Sequence, residues 1–139
     1  MSQSILISGG TLANGKKSDL LIKDGLIAEI AEKIEEKDAK RIDASHSIVL
    51  PGLVDLHTHL REPGREDAET VESGSRAGVK GGFTALSAMA NTSPVADTAG
   101  VVEQVYRLGQ SAGLLDVFPI GAVTRGLEGE HLAEIGAMA

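Results

Sequence analysis

Pro51-Gly52-Leu53-Val54-Asp55-Leu56-His57-Thr58-His59-Leu60-Arg61-Glu62-Pro63-Gly64 is the stretch on which the reading of this chain turns. Its apolar start, opened by Pro-Gly, predicts a buried strand over residues 53–56 that runs into the two histidines. Side chains alternate faces along a strand, so His57 and His59 point the same way and can share one metal ion. Imidazole nitrogens suit zinc, and catalytic zinc sites use few protein ligands and leave a position open for water. The alternative is a satisfied structural pair, since four histidines in one chain make a chance His-x-His a real false positive. Asp55 has the same parity. It either orients an imidazole or is a polar residue with hydrogen bonds of its own. Arg61 leaves the strand just past the histidines, where a guanidinium can grip a carboxylate through two parallel hydrogen bonds; the alternative is a loop arginine in a surface ion pair. Pro63-Gly64 forms the turn that lets this loop fold over the site.

Working outward toward the C-terminus, a helix is predicted over residues 67–80. Asp67 and Thr70 are its candidate N-caps, Glu69 and Glu72 suit its first turn, and Lys80 precedes Gly81-Gly82. A second strand spans residues 83–90. Asn91 follows it, either on the same rim, where its amide meets a substrate edge, or as a turn former before Thr92-Ser93-Pro94. Asp97 or Thr98 opens a second helix with Val101, Val102, Val105 and Leu108 on one face, closed by Gly113. Residues 114–123 read as a third strand interrupted at Pro119-Ile120-Gly121, and a third helix begins near Glu130. His131 lies near that helix start, and Glu128, Glu130 and Glu134 read as a solvated helix face. The order βαβαβα implies a parallel sheet, and ligands at the C-terminal ends of such strands are where barrel enzymes do chemistry. Three βα units cannot close a (β/α)8 barrel of about 250 residues, and they leave a bare apolar edge. The expectation is the front portion of a larger enzyme.

Working outward toward the N-terminus, residues 1–50 read as a small all-β unit. Short strands are expected at Ile5-Leu6-Ile7, ending at Gly9-Gly10, and over residues 19–23, 26–30, 41–44 and 48–50. Asn14-Gly15 is a turn signal, and Asp24-Gly25 between two apolar runs is a strong hairpin signal because the pair tolerates positive φ. Residues 33–40 are charge-rich and read as a solvated loop. His46, in a polar turn, reads as a surface residue.

Composition narrows the class. The 139 residues carry 13 Lys and Arg against 20 Asp and Glu, a net charge of −7, which argues against a nucleic-acid partner. Hydrophobic residues at 42% with 24% charged are a globular balance. Aromatics at 2% leave the core to Ile, Leu, Val and Ala. The absence of Cys excludes disulfides, thiolate zinc sites and cysteine nucleophiles, and it fits a reducing compartment. Met1-Ser2-Gln3-Ser4 lacks the basic start of a signal peptide, and no apolar run approaches the ~18 residues of a membrane span. A soluble cytoplasmic protein without membrane or nucleic-acid partners is expected.

The stretch from Pro51 to Gly64 strongly resembles the amidohydrolase superfamily, specifically bacterial dihydroorotases of the longer, type I kind. Gly81-Gly82-Phe83-Thr84 and Met89-Ala90-Asn91-Thr92-Ser93-Pro94 continue the match, and the β unit with Asp24-Gly25 and Ile42-Asp43-Ala44 looks like the superfamily's accessory β-sandwich. The resemblance implies an α/β fold: a metal-dependent (β/α)8 barrel whose first three βα units are residues 51–139, preceded by a composite β-sandwich segment over 1–50. It implies reversible hydrolysis of the cyclic amide of L-dihydroorotate to N-carbamoyl-L-aspartate, in pyrimidine biosynthesis, at a centre of one or two zinc ions. It makes His57 and His59 zinc ligands and gives Arg61 and Asn91 the substrate carboxylate. The family's other ligands, a carboxylate and two further histidines, belong to later strands, as does its proton-shuttling aspartate. No catalytic residue of that kind is therefore expected within residues 1–139, and the chain alone is expected not to turn over.

Three rivals stand beside this reading. Allantoinase and hydantoinase relatives hydrolyse other cyclic amides on the same barrel, with Arg61 as the discriminator. A non-catalytic dihydroorotase-like subunit of aspartate transcarbamoylase would resemble the family but lose metal ligands. A stand-alone β unit plus half barrel would need a second polypeptide or a second copy to cover its sheet edge.

Overall fold

The structure, a computed structural model, describes residues 4–139; the opening Met1-Ser2-Gln3 of the sequence lies outside the described residues. The chain divides into two compact units, one ending at Pro51 and the other running from Gly52 to Ala139.

In the first unit, β1 (Ile5–Leu12), β2 (Lys17–Lys23), β3 (Leu26–Ala31) and β4 (Lys40–Asp43) lie in the order β3-β2-β1-β4, and β5 (Ile48–Val49) also pairs with β1. The two hairpins are antiparallel, whereas β4 and β5 run parallel to β1. Asp24 and Gly25 take φ of 53° and 78° between paired Lys23 and Leu26, as a two-residue hairpin turn requires.

Strand β1 does not stop at Gly9-Gly10. It continues to Leu12 across a register shift between Ile7 and Gly10. Gly9, at φ 72°, turns its N–H out of the ladder to Oδ1 of Asp19 at 2.8 Å. Asp19 is buried, and its other oxygen accepts the Ile34 N–H at 3.0 Å. That bond pins the charge-rich loop in its middle: Ile34 is a core residue beside Leu6 and Leu21, and the segment is not solvated throughout as its charges suggested. These strands form one sheet and not two stacked layers, and Leu26, Ile27, Ile30, Ile42 and Ile48 remain exposed.

In the second unit, β6 (Leu53–Thr58), β7 (Phe83–Ala88) and β8 (Asp116–Pro119) form a parallel sheet in chain order. Helices α1 (Val71–Lys80) and α2 (Ala99–Ala112) make the crossovers. Their inner faces bury Val71 and Val105 against Leu60, Leu86, Ala88 and Val117. Thr70, not Asp67, caps α1: its Oγ1 accepts the Ser73 N–H while the Ser73 Oγ accepts the Thr70 N–H. Thr98 is the N-cap residue of α2, and Asp97 instead accepts the Gly126 N–H at 2.8 Å. A Cβ on Gly109 would lie 2.5 Å from Cβ of Val117, so this glycine sets how closely α2 approaches β8.

Three expectations need correction. Strand β6 is not buried: Leu53, Val54 and Leu56 are 44%, 55% and 73% exposed, because β6 is an edge strand among the described residues. Strand β8 ends at Pro119, beyond which Ile120 and Ala122 donate to carbonyls of Ala88 and Ala96 instead of extending a strand. The third helix is a single turn, α3 (Ile135–Met138). Gly126 and Gly129 at positive φ and a bridge between Thr124 and Leu132 hold the preceding residues in a loop. His131 is therefore an exposed loop residue whose carbonyl accepts the Arg125 N–H, Glu128 and Glu130 are exposed off any helix, and Glu134 pairs with Arg125 at 3.7 Å. No helix among the described residues is long and apolar enough to cross a membrane.

Candidate active site at the ends of β6 and β7

Parallel pairing places the C-terminal ends of β6 and β7 on one edge of the sheet. His57 is the penultimate residue of β6 and His59 follows its end. Their ring centroids are 5.2 Å apart in an edge-on arrangement. Two imidazoles sharing one tetrahedral ion at the usual Zn–N length of about 2.0–2.1 Å stand about 5 Å apart, so the pair has the spacing of two ligands of one ion. Among the described residues no group of three or more His, Asp or Glu side chains has metal-binding geometry. The pair thus fits part of a ligand set, not a whole one.

Asp55 does not reach an imidazole. Its Oδ1 accepts the backbone N–H of His57 at 3.0 Å, where the register between β6 and β7 shifts. The carboxylate substitutes for a missing ladder bond and fixes the main chain from which His57 projects. His59 does have a side-chain partner, 32 residues away: its Nδ1 lies 2.8 Å from Oδ1 of Asn91. Asn91 is therefore on the rim and against the second histidine, not only a turn former.

Arg61 begins the loop after β6 at φ 63°, a left-handed conformation that costs a non-glycine residue about 1–3 kcal/mol and persists only where the surroundings hold it. They do hold it. The Arg61 carbonyl accepts the Arg65 N–H at 3.0 Å, Oε2 of Glu62 accepts the Val71 N–H at 2.7 Å, and the Gly64 N–H reaches Oε1 of Glu66. The Glu62-Pro63 and Ser93-Pro94 peptides are both cis. Arg61 is exposed, and its guanidinium makes no hydrogen bond or ion pair among the described residues, so the surface-pair alternative is not what the structure has. A cleft of about 290 Å³ is lined by His59 together with Asp55, Thr58, Leu60, Glu69 and Leu86. Neither Arg61 nor Asn91 lines it.

Sequence reasoning marked Pro63-Gly64 as a turn but missed the roles of Glu62 and Ser93, which set the loops that carry Arg61 and Asn91, because each acts on a residue remote in the chain. His46 is an exposed residue of the first unit, as expected.

Comparison with known proteins adds identity to geometry. The dihydro-orotase-like family profile matches residues 46–139. A dihydroorotase of Leifsonia xyli subsp. xyli is 59% identical over 137 residues, covering 99% of this chain and 31% of its own length. That of Streptomyces coelicolor is 57% identical over 133 residues, covering 96% of this chain and likewise 31% of its own length. Among solved structures, the L-hydantoinase (dihydropyrimidinase) from Arthrobacter aurescens superposes with a TM-score of 0.75 at 25% identity, over 89% of this chain and 28% of that one. The chain thus spans about a third of the length of the relatives it matches. With the profile covering the whole second unit, the chain belongs to the dihydro-orotase-like family.

Proposed function

We propose that these residues carry the first two metal ligands and the substrate-carboxylate grip of a zinc-dependent dihydroorotase, which interconverts L-dihydroorotate and N-carbamoyl-L-aspartate in cytoplasmic pyrimidine biosynthesis. The carrying observation is the meeting of His57, His59 and Asn91 at the ends of β6 and β7, with Arg61 two residues after His59 in the chain. In this reading β6, β7 and β8 are the first strands of a (β/α)8 barrel. Residues 51–139 are its opening units, and residues 1–50 are one part of a composite β-sandwich.

The chemistry assigned to the chain follows from donor types. His57 and His59 hold zinc through imidazole nitrogens. When bound, zinc supplies a Lewis acid at the ring amide and lowers the pKa of water. Arg61 donates two parallel N–H bonds to the substrate carboxylate, and the Nδ2 of Asn91, with no protein partner among the described residues, donates a third. Together they orient the cyclic amide without taking part in proton transfer. That step belongs to residues outside these 139, as do the remaining ligands, so the chain by itself is expected to be inactive.

A second reading, a hydantoinase-type cyclic amidohydrolase, is favoured by the superposition on L-hydantoinase. A substrate panel on the protein at the full length of its relatives separates the two. Turnover of dihydroorotate, reduced about a hundredfold or more by His57→Ala or His59→Ala, supports the proposal. Hydrolysis of hydantoins or allantoin with none of dihydroorotate replaces it with the second reading. Absence of both zinc and turnover points to a non-catalytic partner of aspartate transcarbamoylase.

A further inference from the structure

A neutral imidazole has one donor and one acceptor nitrogen, and an amide oxygen only accepts. The 2.8 Å contact between Nδ1 of His59 and Oδ1 of Asn91 therefore requires the proton on Nδ1. We propose that Asn91 is a positioning residue that locks His59 as the Nδ1–H tautomer, leaving Nε2 as the lone-pair nitrogen for a cation. The role rests on the reading of His59 as a metal ligand, and it adds to Asn91 a function distinct from gripping substrate. The tautomer of a ligating histidine is set by the hydrogen bond of its other nitrogen.

The loop that carries Asn91 is built to hold it. Ala90 is buried and its carbonyl accepts the Ala96 N–H at 3.0 Å. Oγ1 of Thr92 donates to the Pro94 carbonyl at 2.7 Å, and the Ser93 N–H donates to the Pro63 carbonyl at 2.9 Å. With Oδ1 committed to His59, the amide keeps both Nδ2 protons for an anion. One side chain thereby links the metal-ligand position to the carboxylate position through a single planar group.

Nitrogen-15 NMR of histidine-labelled chain, above the pH range where imidazole protonates, reads the tautomer without metal or substrate. His59 is expected with its proton on Nδ1. Asn91→Asp keeps an acceptor oxygen in place and should retain that tautomer, whereas Asn91→Ala should release it to a mixture. Titration with zinc alone, followed at Nε2, should need about tenfold or more zinc in Asn91→Ala than in Asn91→Asp. A wild-type proton on Nε2, with Asn91 donating through Nδ2 to a bare Nδ1, overturns the proposal, as does an unchanged tautomer in Asn91→Ala. An Nδ1–H tautomer lost in Asn91→Ala, with no zinc bound by any form, upholds the tautomer lock and removes the metal reading instead.

Discussion

The backbone N–H of Ser93 donates to the carbonyl oxygen of Pro63 at 2.9 Å, and this bond ties the loop after β6 to the loop after β7. Arg61 and Asn91 sit on those two loops. Their relative placement is therefore set by main-chain hydrogen bonding and close packing, not by the side chains themselves.

Gly64 is the close-packed point of that tie. It lies at φ 99°, and a Cβ there would collide with the Ser93 carbonyl oxygen. Gly64→Ala is expected to cost about 1–3 kcal/mol from the left-handed backbone alone, with the collision added. Urea denaturation measures the loss. A variant as stable as wild type would mean the two loops are not held together as described.

Glu62 holds the same loop from the other side, through its bond to the Val71 N–H at the start of α1. Val71 is fully buried, so Glu62→Ala strands a donor and should cost about 1–2 kcal/mol. Glu62→Gln keeps an acceptor and loses only the charge at the helix N-terminus, an effect of about 0.3–1 kcal/mol. Melting temperatures should fall in the order wild type, Glu62→Gln, Glu62→Ala; equal values for all three would show that water replaces the carboxylate.

Gly109 sets two effects against each other. Alanine gains about 0.8–1.0 kcal/mol of helix propensity, but its Cβ is forced onto Val117, an overpacking that costs about 1–3 kcal/mol. Gly109→Ala should thus be neutral to destabilising alone. In a Val117→Ala background the nearer methyl, at 2.9 Å, is gone but the Cβ at 2.5 Å remains, so the same change should cost less than in wild type without becoming stabilising. A double-mutant cycle tests this coupling, and additive effects would refute the contact.

Asp43 gives the first unit an acid-sensitive bond. The Ser45 N–H donates to its Oδ1 at 2.9 Å and holds the carboxyl below the ordinary carboxylate range. The folded form then binds the proton more weakly than the unfolded chain. Its contribution is complete at neutral pH and is lost as pH falls through the folded value. Because the group is fully exposed, the effect is small. The stability gap between wild type and Asp43→Asn should narrow on acidification; a gap independent of pH would be inconsistent with this assignment.

Much of this was legible in residue order. Asp24-Gly25 names its own turn because few pairs tolerate two positive φ values, and the alternation of apolar runs with capped amphipathic stretches dictates parallel strands joined by helices. The third helix, expected from near Glu130, is only the turn Ile135–Met138, because residues 131–133 are held instead by the Thr124–Leu132 bridge and the bond from the Ala133 N–H to the Val123 carbonyl, pairings that local residue type does not reveal. Strand β6 was read as buried because its residues are apolar, although burial depends on a neighbour that residue type does not reveal.

What the sequence by itself determined is the inventory of the candidate site: two histidines of one parity, followed by an arginine, at the end of a strand. What only the tertiary structure decided is who touches whom. Asp55 serves the His57 main chain, Asn91 meets the His59 ring, and Glu62 caps a helix that begins nine residues later. The physical reason is range. Parity along a strand and capping at a helix end are set by adjacent residues, whereas a hydrogen bond between loops exists only after the sheet has brought both strand ends to one edge.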